Sequence, residues 1–362
     1  MIKKIAIITP SLANGGTERV SSLLSKVLFE LGYHVELYPV YNTIEYPHSG
    51  SLKPLGVNKK SPFLFFYLIR AFFLLFFQLR IGKYDFILDL RSRKNTFFEI
   101  LFLFIIYPNW SKIIYMFHLS LIDRYIPKPF TFFTKMYNKA YACVSVSNSI
   151  NEMLISIGLS NSKTIYNPID FDLLRKKCNG SLDADYPFVL FAGRMDDNVK
   201  QLDHAIECYV KSELPAKGIH LVVLGDGKSA VEFKNCAKET NFSNIIHFLG
   251  FKENPFIYYK NAVFLMLTSK IEGFPMVLIE SLACGTPVVS YDCPTGPKEI
   301  VRHEKNGLLV LKDDKCEMTS ALNRMINDVA LYEKLCFNAK QSVSHLSMEK
   351  IAKEWKELIE QN

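Results

Sequence analysis

The sequence predicts an α/β protein of two doubly wound, Rossmann-like domains facing across a cleft. Three observations predict it. Short apolar runs alternate with longer helical patterns along almost the whole chain, the signature of βαβ units around a parallel sheet. A polar, turn-rich stretch from Lys176 to Pro187 separates two such series. The length of 362 residues suits two domains better than one, and an apolar content of 49% is enough to fill both cores. The expected division is residues 1–178, residues 186–345, and a final helix over 346–362 that packs back toward the N-terminal domain.

Taken in order, the N-terminal half offers strands at Ile5–Thr9, His34–Val40, Tyr84–Leu88, Lys112–Phe117, Tyr141–Val146 and Lys163–Ile165. The apolar run after Lys3 and Lys4 is only Ile5 to Ile8, too short for a signal-peptide core, so it reads as a first buried strand. That strand runs into Asn14-Gly15-Gly16-Thr17-Glu18-Arg19. Paired glycines at a strand-to-helix turn let a phosphate or sugar approach the backbone, or simply make a tight turn. The pattern is not the G-x-G-x-x-G of a dinucleotide site.

Residues 63–79 are apolar at fifteen of 17 positions, the exceptions being Arg70 and Gln78. An Arg at mid-bilayer costs about 2.5–3.5 kcal/mol, and a span here would cut the first sheet between two of its strands. The segment therefore reads as a helix of the first domain. Its basic flanks, including Lys59, Lys60, Arg91, Arg93 and Lys94, predict docking on an anionic membrane surface; burial on most sides is the alternative. Charge agrees with this: residues 1–180 carry 22 basic and 11 acidic side chains, against 21 and 25 in residues 181–362. His118 ends the Lys112–Phe117 run, where a side chain can donate to a hydroxyl or manage a proton, although a lone histidine is more often structural. Asp170-Phe-Asp172 and Asp183-Ala-Asp185 are literal D-x-D pairs, but they lie in or beside the linker and read as turn residues rather than a metal site.

The second half offers strands at Phe188–Phe191, His220–Leu224, Ile245–Phe248, Val263–Leu267, Pro287–Ser290 and Gly307–Val310. Gly193-Arg194 and Lys200 follow the first, two cations six residues apart that suit the two phosphates of a diphosphate. Gly225-Asp226-Gly227 follows the second and suits a flat base lying against backbone. The most informative stretch is Glu272-Gly273-Phe274-Pro275-Met-Val-Leu-Ile-Glu280. Pro275 suits the first position of a helix, so Glu272 falls in the loop before it and Glu280 in its second turn. Free backbone N–H groups at the helix start attract an anion, and carboxylates on either side accept hydrogen bonds from sugar hydroxyls. The ligand suggested is a nucleotide sugar. All eight cysteines lie from Cys143 onward without a C-x-x-C pair and read as buried thiols of a reducing compartment.

The order Gly-Gly-x-Glu-Arg, strand-end His118, Asn167-Pro168-Ile169-Asp170, Gly-Arg-x5-Lys, Gly-Asp-Gly, Glu-x7-Glu, then Pro294-Thr-Gly-Pro297 and Gly307-Leu-Leu-Val310 resembles the family-4 retaining glycosyltransferases of GT-B fold. The similarity is greatest to bacterial members that build capsule, O-antigen or lipid-linked oligosaccharides. The resemblance implies that Glu272 contacts the donor sugar and Glu280 the ribose. It implies that Arg194 and Lys200 neutralise the diphosphate, that Gly15 and Gly16 lie at the sugar-phosphate end, and that His118 faces the transferred sugar. It further implies a UDP-sugar donor, a lipid-linked or polysaccharide acceptor, retention of configuration, no cofactor and no metal requirement. Gln201 departs from the pattern, because a glycine commonly follows the lysine.

The expected protein is thus a metal-independent transferase in the cytoplasm, peripheral on the inner face of the membrane. A non-transferase GT-B enzyme, such as a nucleotide-sugar epimerase, has no need of a lipid-facing surface. A nucleic-acid-binding protein fits the Phe-rich surroundings of the basic residues poorly, so nucleic acid is not an expected partner.

Overall fold

The computed structural model describes residues 2–361 apart from Asn14, Ser181, Asp183, Asp197 and Asn198. It contains two compact units, one comprising Met1–Pro168 with Met348–Asn362 and the other Ile169–Ser347.

The first unit is built on a parallel seven-stranded sheet of β1 (Lys4–Thr9), β2 (His34–Pro39), β3 (Ser51–Leu52), β4 (Phe86–Asp89), β5 (Ile113–Phe117), β6 (Ala142–Ser145) and β7 (Ser162–Thr164), in the order β3-β2-β1-β4-β5-β6-β7. The second has a parallel six-stranded sheet of β8 (Phe188–Ala192), β9 (His220–Leu224), β10 (Ile246–Gly250), β11 (Leu265–Leu267), β12 (Val288–Asp292) and β13 (Gly307–Leu311), in the order β10-β9-β8-β11-β12-β13. Central strands such as Ile5–Ile8 and Val189–Phe191 have no accessible surface, because helices cover both faces. The twelve expected strands are present, with ends shifted by up to two residues. β3, a two-residue strand paired with Glu36 and Leu37, was not anticipated.

Each sheet reverses its strand order once, between β1 and β4 and between β8 and β11. In open α/β sheets, ligands bind outside the carboxyl ends of the strands at such a reversal.

Two expectations about organisation need correction, the domain boundary and the burial of the cysteines, and the bounds of the apolar helix shift by one or two residues. The boundary falls at Pro168/Ile169 and not within the Lys176–Pro187 stretch. The Phe171–Lys177 helix belongs to the second unit, where Leu174 is buried, the Cys178 thiol points to the Phe256 carbonyl and Asn254 donates to the Lys177 carbonyl at 2.9 Å. The apolar helix spans Leu64–Ile81 and buries only Ala71, Leu75 and Leu79, one stripe with a period of four. The cysteines are not uniformly buried: Cys236 and Cys316 lie on exposed helix faces.

The Met348–Glu360 helix belongs to the first unit. It buries Ile351, Trp355, Leu358 and Ile359, and its last carbonyls accept from Lys3 Nζ (2.6 Å) and Tyr141 Oη (2.7 Å).

Candidate active site

In the second unit, the loops after β8 and β11 are joined side by side at the reversal. Thr268 donates its hydroxyl to the carbonyls of Lys200 (3.0 Å) and Gln201 (2.8 Å), and Lys270 N–H donates to the Val199 carbonyl at 2.8 Å. The Lys200 side chain is thereby laid over Gly193, and its Nζ lies 2.5 Å from Glu272 Oε1. Glu272 is 7% exposed, and its carbonyl accepts from the buried Thr295 hydroxyl. The structure thus brings together Lys200 and Glu272, two residues assigned separate roles from the sequence. Arg194 follows Gly193 and is exposed.

Pro275 is the N-cap of the Met276–Ala283 helix, one position earlier than expected, with extended ψ of 106°. Glu280 lies in the second turn and is buried. Gly273 and Phe274 are buried in the preceding loop. Gly296, at φ +90°, backs onto this loop: a Cβ there would lie 2.7 Å from the Gly273 carbonyl oxygen and from Pro275 Cδ.

Gly225 has a packing role that its motif did not suggest. Its φ is +123°, and a Cβ would collide with the Gly193 carbonyl. The glycine lets the β8 and β9 loops pack against one another, supported by Met195 N–H donating to the Asp226 carbonyl at 3.0 Å. The missing side chain therefore serves loop packing.

Gln201 explains its own departure from the family pattern. It is the N-cap of the Leu202–Lys211 helix and adopts φ 45°, ψ 55°, the left-handed region where glycine is unstrained. Its side chain is buried and donates to Asp313 Oδ1 at 2.9 Å.

In the first unit, β1, β4 and β5 are neighbours, and their carboxyl ends carry Gly15-Gly16, Asp89–Arg93 and His118. Gly15 is the extended N-cap of the Gly16–Glu30 helix, and nothing lies within 4 Å of a Cβ built on Gly16. His118 is 6% exposed, and its Nε2 has no hydrogen-bond partner among the described residues. Burial and the Arg93 charge push the imidazole down to about 3, so it is neutral at physiological pH.

Arg91 and Arg93 are not membrane-surface residues. Arg93 is 2% exposed, and its guanidinium donates to the carbonyls of Asp89 (3.2 Å), Arg91 (3.1 Å), Met116 (3.2 Å) and Tyr125 (3.2 Å). The rings of Tyr115, Phe117, Tyr125 and Tyr137 surround it. Arg91 forms a two-pronged pair with Asp89 at 2.9 and 2.8 Å and reaches Glu99 at 3.4 Å. Two buried carboxylates draw these arginines inward, since a buried charge persists only when paired. Burial pushes the Glu99 carboxyl up to about 7 against the pull of Arg91. Lys59, Lys60 and Lys94 are exposed.

Of the D-x-D pairs, Asp170 caps the Phe171–Lys177 helix by accepting from Leu173 N–H at 2.8 Å, and Asp172 pairs with Arg175 at the surface; Asp183 lies outside the described residues. Sequence reasoning passed over Thr268, Ser269, Thr295, Asp89 and Glu99. Thr268 and Ser269 had a readable signal, two hydroxyl residues closing an apolar strand. Ser269 is 1% exposed, and its Oγ has no partner among the described residues.

Residues 175–342 match the family model described as glycosyl transferases group 1. That segment is therefore similar to the group 1 glycosyltransferases. It is 31% identical over 240 residues to an N-acetylgalactosaminyltransferase of Campylobacter jejuni whose name specifies a diphospho-undecaprenol-linked acceptor; the match covers 65% of this chain and 62% of that protein. It is 24% identical over 364 residues to the amylovoran biosynthesis glycosyltransferase AmsD of Erwinia amylovora, covering 98% and 99% of the two chains. The chain spans less than two thirds of the length of the first curated relatives it matches. A structure of Staphylococcus aureus TarM, solved with UDP, superposes with a TM-score of 0.79 at 12% identity, covering 99% of this chain and 100% of that one. The fold is therefore GT-B.

Proposed function

We propose that this protein is a retaining glycosyltransferase of surface-glycan synthesis. It moves a sugar from a UDP-sugar to a lipid-linked or polysaccharide hydroxyl at the inner face of the cytoplasmic membrane. The observation that carries the reading is the Lys200–Glu272 pair, held at the reversal of the second sheet beside the start of the Met276–Ala283 helix. A lysine and a carboxylate in contact there are the two complementary halves of a site for a ligand bearing both phosphate and hydroxyls. Donor binding exchanges partners: the diphosphate takes Lys200, with Arg194 joining from the exposed loop, and sugar hydroxyls take Glu272. Glu280 holds the ribose. Gly15 and Gly16 approach the sugar-phosphate end.

Transfer with retention and no protein nucleophile proceeds on one face of the sugar. The bond from the anomeric carbon to the diphosphate oxygen breaks, the acceptor oxygen bonds to the same face, and its proton passes to the departing diphosphate. The protein contributes positioning and charge stabilisation, with Arg194 and Lys200 facing the developing negative charge. Neutral His118 donates to the transferred sugar rather than acting as a cation. No metal is required in this scheme, because the two cations meet the diphosphate. The names of the Campylobacter and Erwinia relatives support the assignment to surface glycans.

The test is a panel of nucleotide sugars screened for thermal stabilisation, followed by product analysis with and without a polyprenyl-diphosphate-linked acceptor, in EDTA throughout. A UDP-sugar should raise Tm, and labelled sugar should appear on the acceptor with its anomeric configuration kept. Turnover of donor into an isomer without acceptor would identify an epimerase instead. Loss in EDTA with rescue by Mn²⁺ would remove the metal-free scheme.

A further inference from the structure

The exposed phenylalanines are not confined to one helix. The Leu64–Ile81 helix leaves Phe65 and Phe66 at 72% and 66% exposed, with Phe73 and Phe77 further along. Beside it, the Thr96–Leu101 helix continues through a wider π turn over Phe102–Ile106 and exposes Phe97, Phe98 and Phe104. Arg80 ties the two together by donating to the Ile105 carbonyl at 3.1 Å. On the other side, Thr96 donates to the Lys128 carbonyl at 3.1 Å, next to the Phe130–Tyr137 helix with exposed Phe130 and Phe132. Trp110 packs edge-on to Phe104, with the Lys139 ammonium over its ring at 5.1 Å. One aromatic surface thus runs across three successive helical segments.

The charge around it has one sign. Among residues 59–139, ten basic side chains are exposed and a single acidic one, Asp123. The other acidic residues of strand β4 and the Thr96–Leu101 helix, Asp89 and Glu99, are turned inward to Arg91. A second copy of the same surface would set cations against cations. The Leu64–Ile81 helix is long and apolar enough to cross a membrane, but both its ends lead to strands of one sheet, β3 and β4, so it cannot cross while that sheet is intact.

We propose that these three segments form a footprint for the face of an anionic bilayer. The phenylalanines enter the acyl boundary, and Arg80, Lys94, Lys128 and Lys139 lie at the level of the lipid phosphates. The footprint deepens the reading of a lipid-linked acceptor and rests on it for its purpose, though its test does not depend on activity.

The full chain is sedimented with vesicles of phosphatidylcholine alone or mixed with phosphatidylglycerol. Binding should be strong to the anionic vesicles and weak to the neutral ones, and added salt should release part of it. Combining Lys94→Gln, Lys128→Gln and Lys139→Gln should weaken anionic binding by about fivefold per charge at low salt. Combining Phe97→Ser, Phe98→Ser and Phe104→Ser should abolish the salt-resistant fraction. All six side chains are exposed or stand at the surface of the ring stack, so both variants should keep the wild-type Tm and donor-induced stabilisation. Equal binding to the two vesicle types, no binding to either, or a dimer in solution that the phenylalanine variant dissociates would each overturn the footprint. Vesicle binding without any sugar transfer would leave the footprint standing and remove the functional reading instead.

Discussion

At the scale of single residues, the Lys200–Glu272 contact sets the clearest expectations. Glu272→Gln should reduce turnover strongly, because a neutral amide cannot accept the charge-assisted hydrogen bonds. Lys200→Ala should cost one to several orders of magnitude in kcat, each tenfold being about 1.4 kcal/mol at the transition state. Both should stay folded in circular dichroism, since the lysine and its partner border solvent. Near-normal kcat in both would remove the main support for the site. Gln201 yields a stability test. Gln201→Gly relieves left-handed strain of roughly 1 kcal/mol and loses the Asp313 hydrogen bond of similar size, so stability should change little. Gln201→Val places a β-branched residue at φ 45° and should cost about 2 kcal/mol or more in urea unfolding. Arg93→Met removes a guanidinium serving four carbonyls and should cost about 3–5 kcal/mol, the range for breaking a buried charged group's partnerships. It also removes a cation that opposes protonation of His118. By NMR, the His118 imidazole should titrate near pH 3 in the wild type and at higher pH in Arg93→Met.

At the scale of elements, two opposed titrations meet on neighbouring segments of the first unit. The His118 pKa is depressed, so its contribution to stability is present above the ordinary histidine value of about 6.5 and is lost as pH falls toward 3. Glu99 is raised, so its contribution is fullest below the ordinary carboxylate value and is lost as pH rises through 7. Between about pH 4.5 and 6.5 the slopes oppose each other, each at most about 1.4 kcal/mol per pH unit. Glu99→Gln should remove one of them, so that stability of this unit climbs with pH across that window more steeply than in the wild type. A parallel pH dependence in wild type and variant would show that Glu99 does not titrate there. The elements themselves were largely legible. Runs such as Ile5-Ala-Ile-Ile8 and Leu221-Val-Val-Leu224 can only be strands buried on both faces, and Glu272 to Glu280 marked its own loop and helix. β3 escaped because two residues in a polar loop carry no periodicity. Arg91 and Arg93 were misjudged because charges beside an apolar segment look like its solvated flank. The rings that surround Arg93, Tyr115, Tyr125 and Tyr137, stand 22 to 44 residues away and meet it only in the folded unit, and Arg91 is held by Asp89 and Glu99, which the sequence reading passed over. The packing role of Gly225 was hidden for the same reason: the neighbour it accommodates, Gly193, lies in the loop after another strand.

At the scale of the whole molecule, both tryptophans, Trp110 and Trp355, belong to the same unit. Intrinsic fluorescence should therefore follow that unit alone, while far-UV circular dichroism follows both. The two transitions should separate when a UDP-sugar protects the second unit. Removing residues 348–362 should strip the Met348–Glu360 helix from the Gly16–Glu30 helix beside it and lower the fluorescence-detected midpoint, leaving the second unit's transition in place. Coincident loss of both would show that the units unfold as one.

That division has a consequence for how the protein is made. The second unit is continuous in the chain, from Ile169 to Ser347, whereas the first is interrupted by it and resumes only at Met348. On the ribosome the inserted unit has all its residues in hand first, and the half synthesised earliest must wait for the segment synthesised latest. Until that segment emerges, the place that Trp355 fills against the first unit stands open. The second unit can therefore complete its fold while the first, begun earlier, still lacks its closing helix.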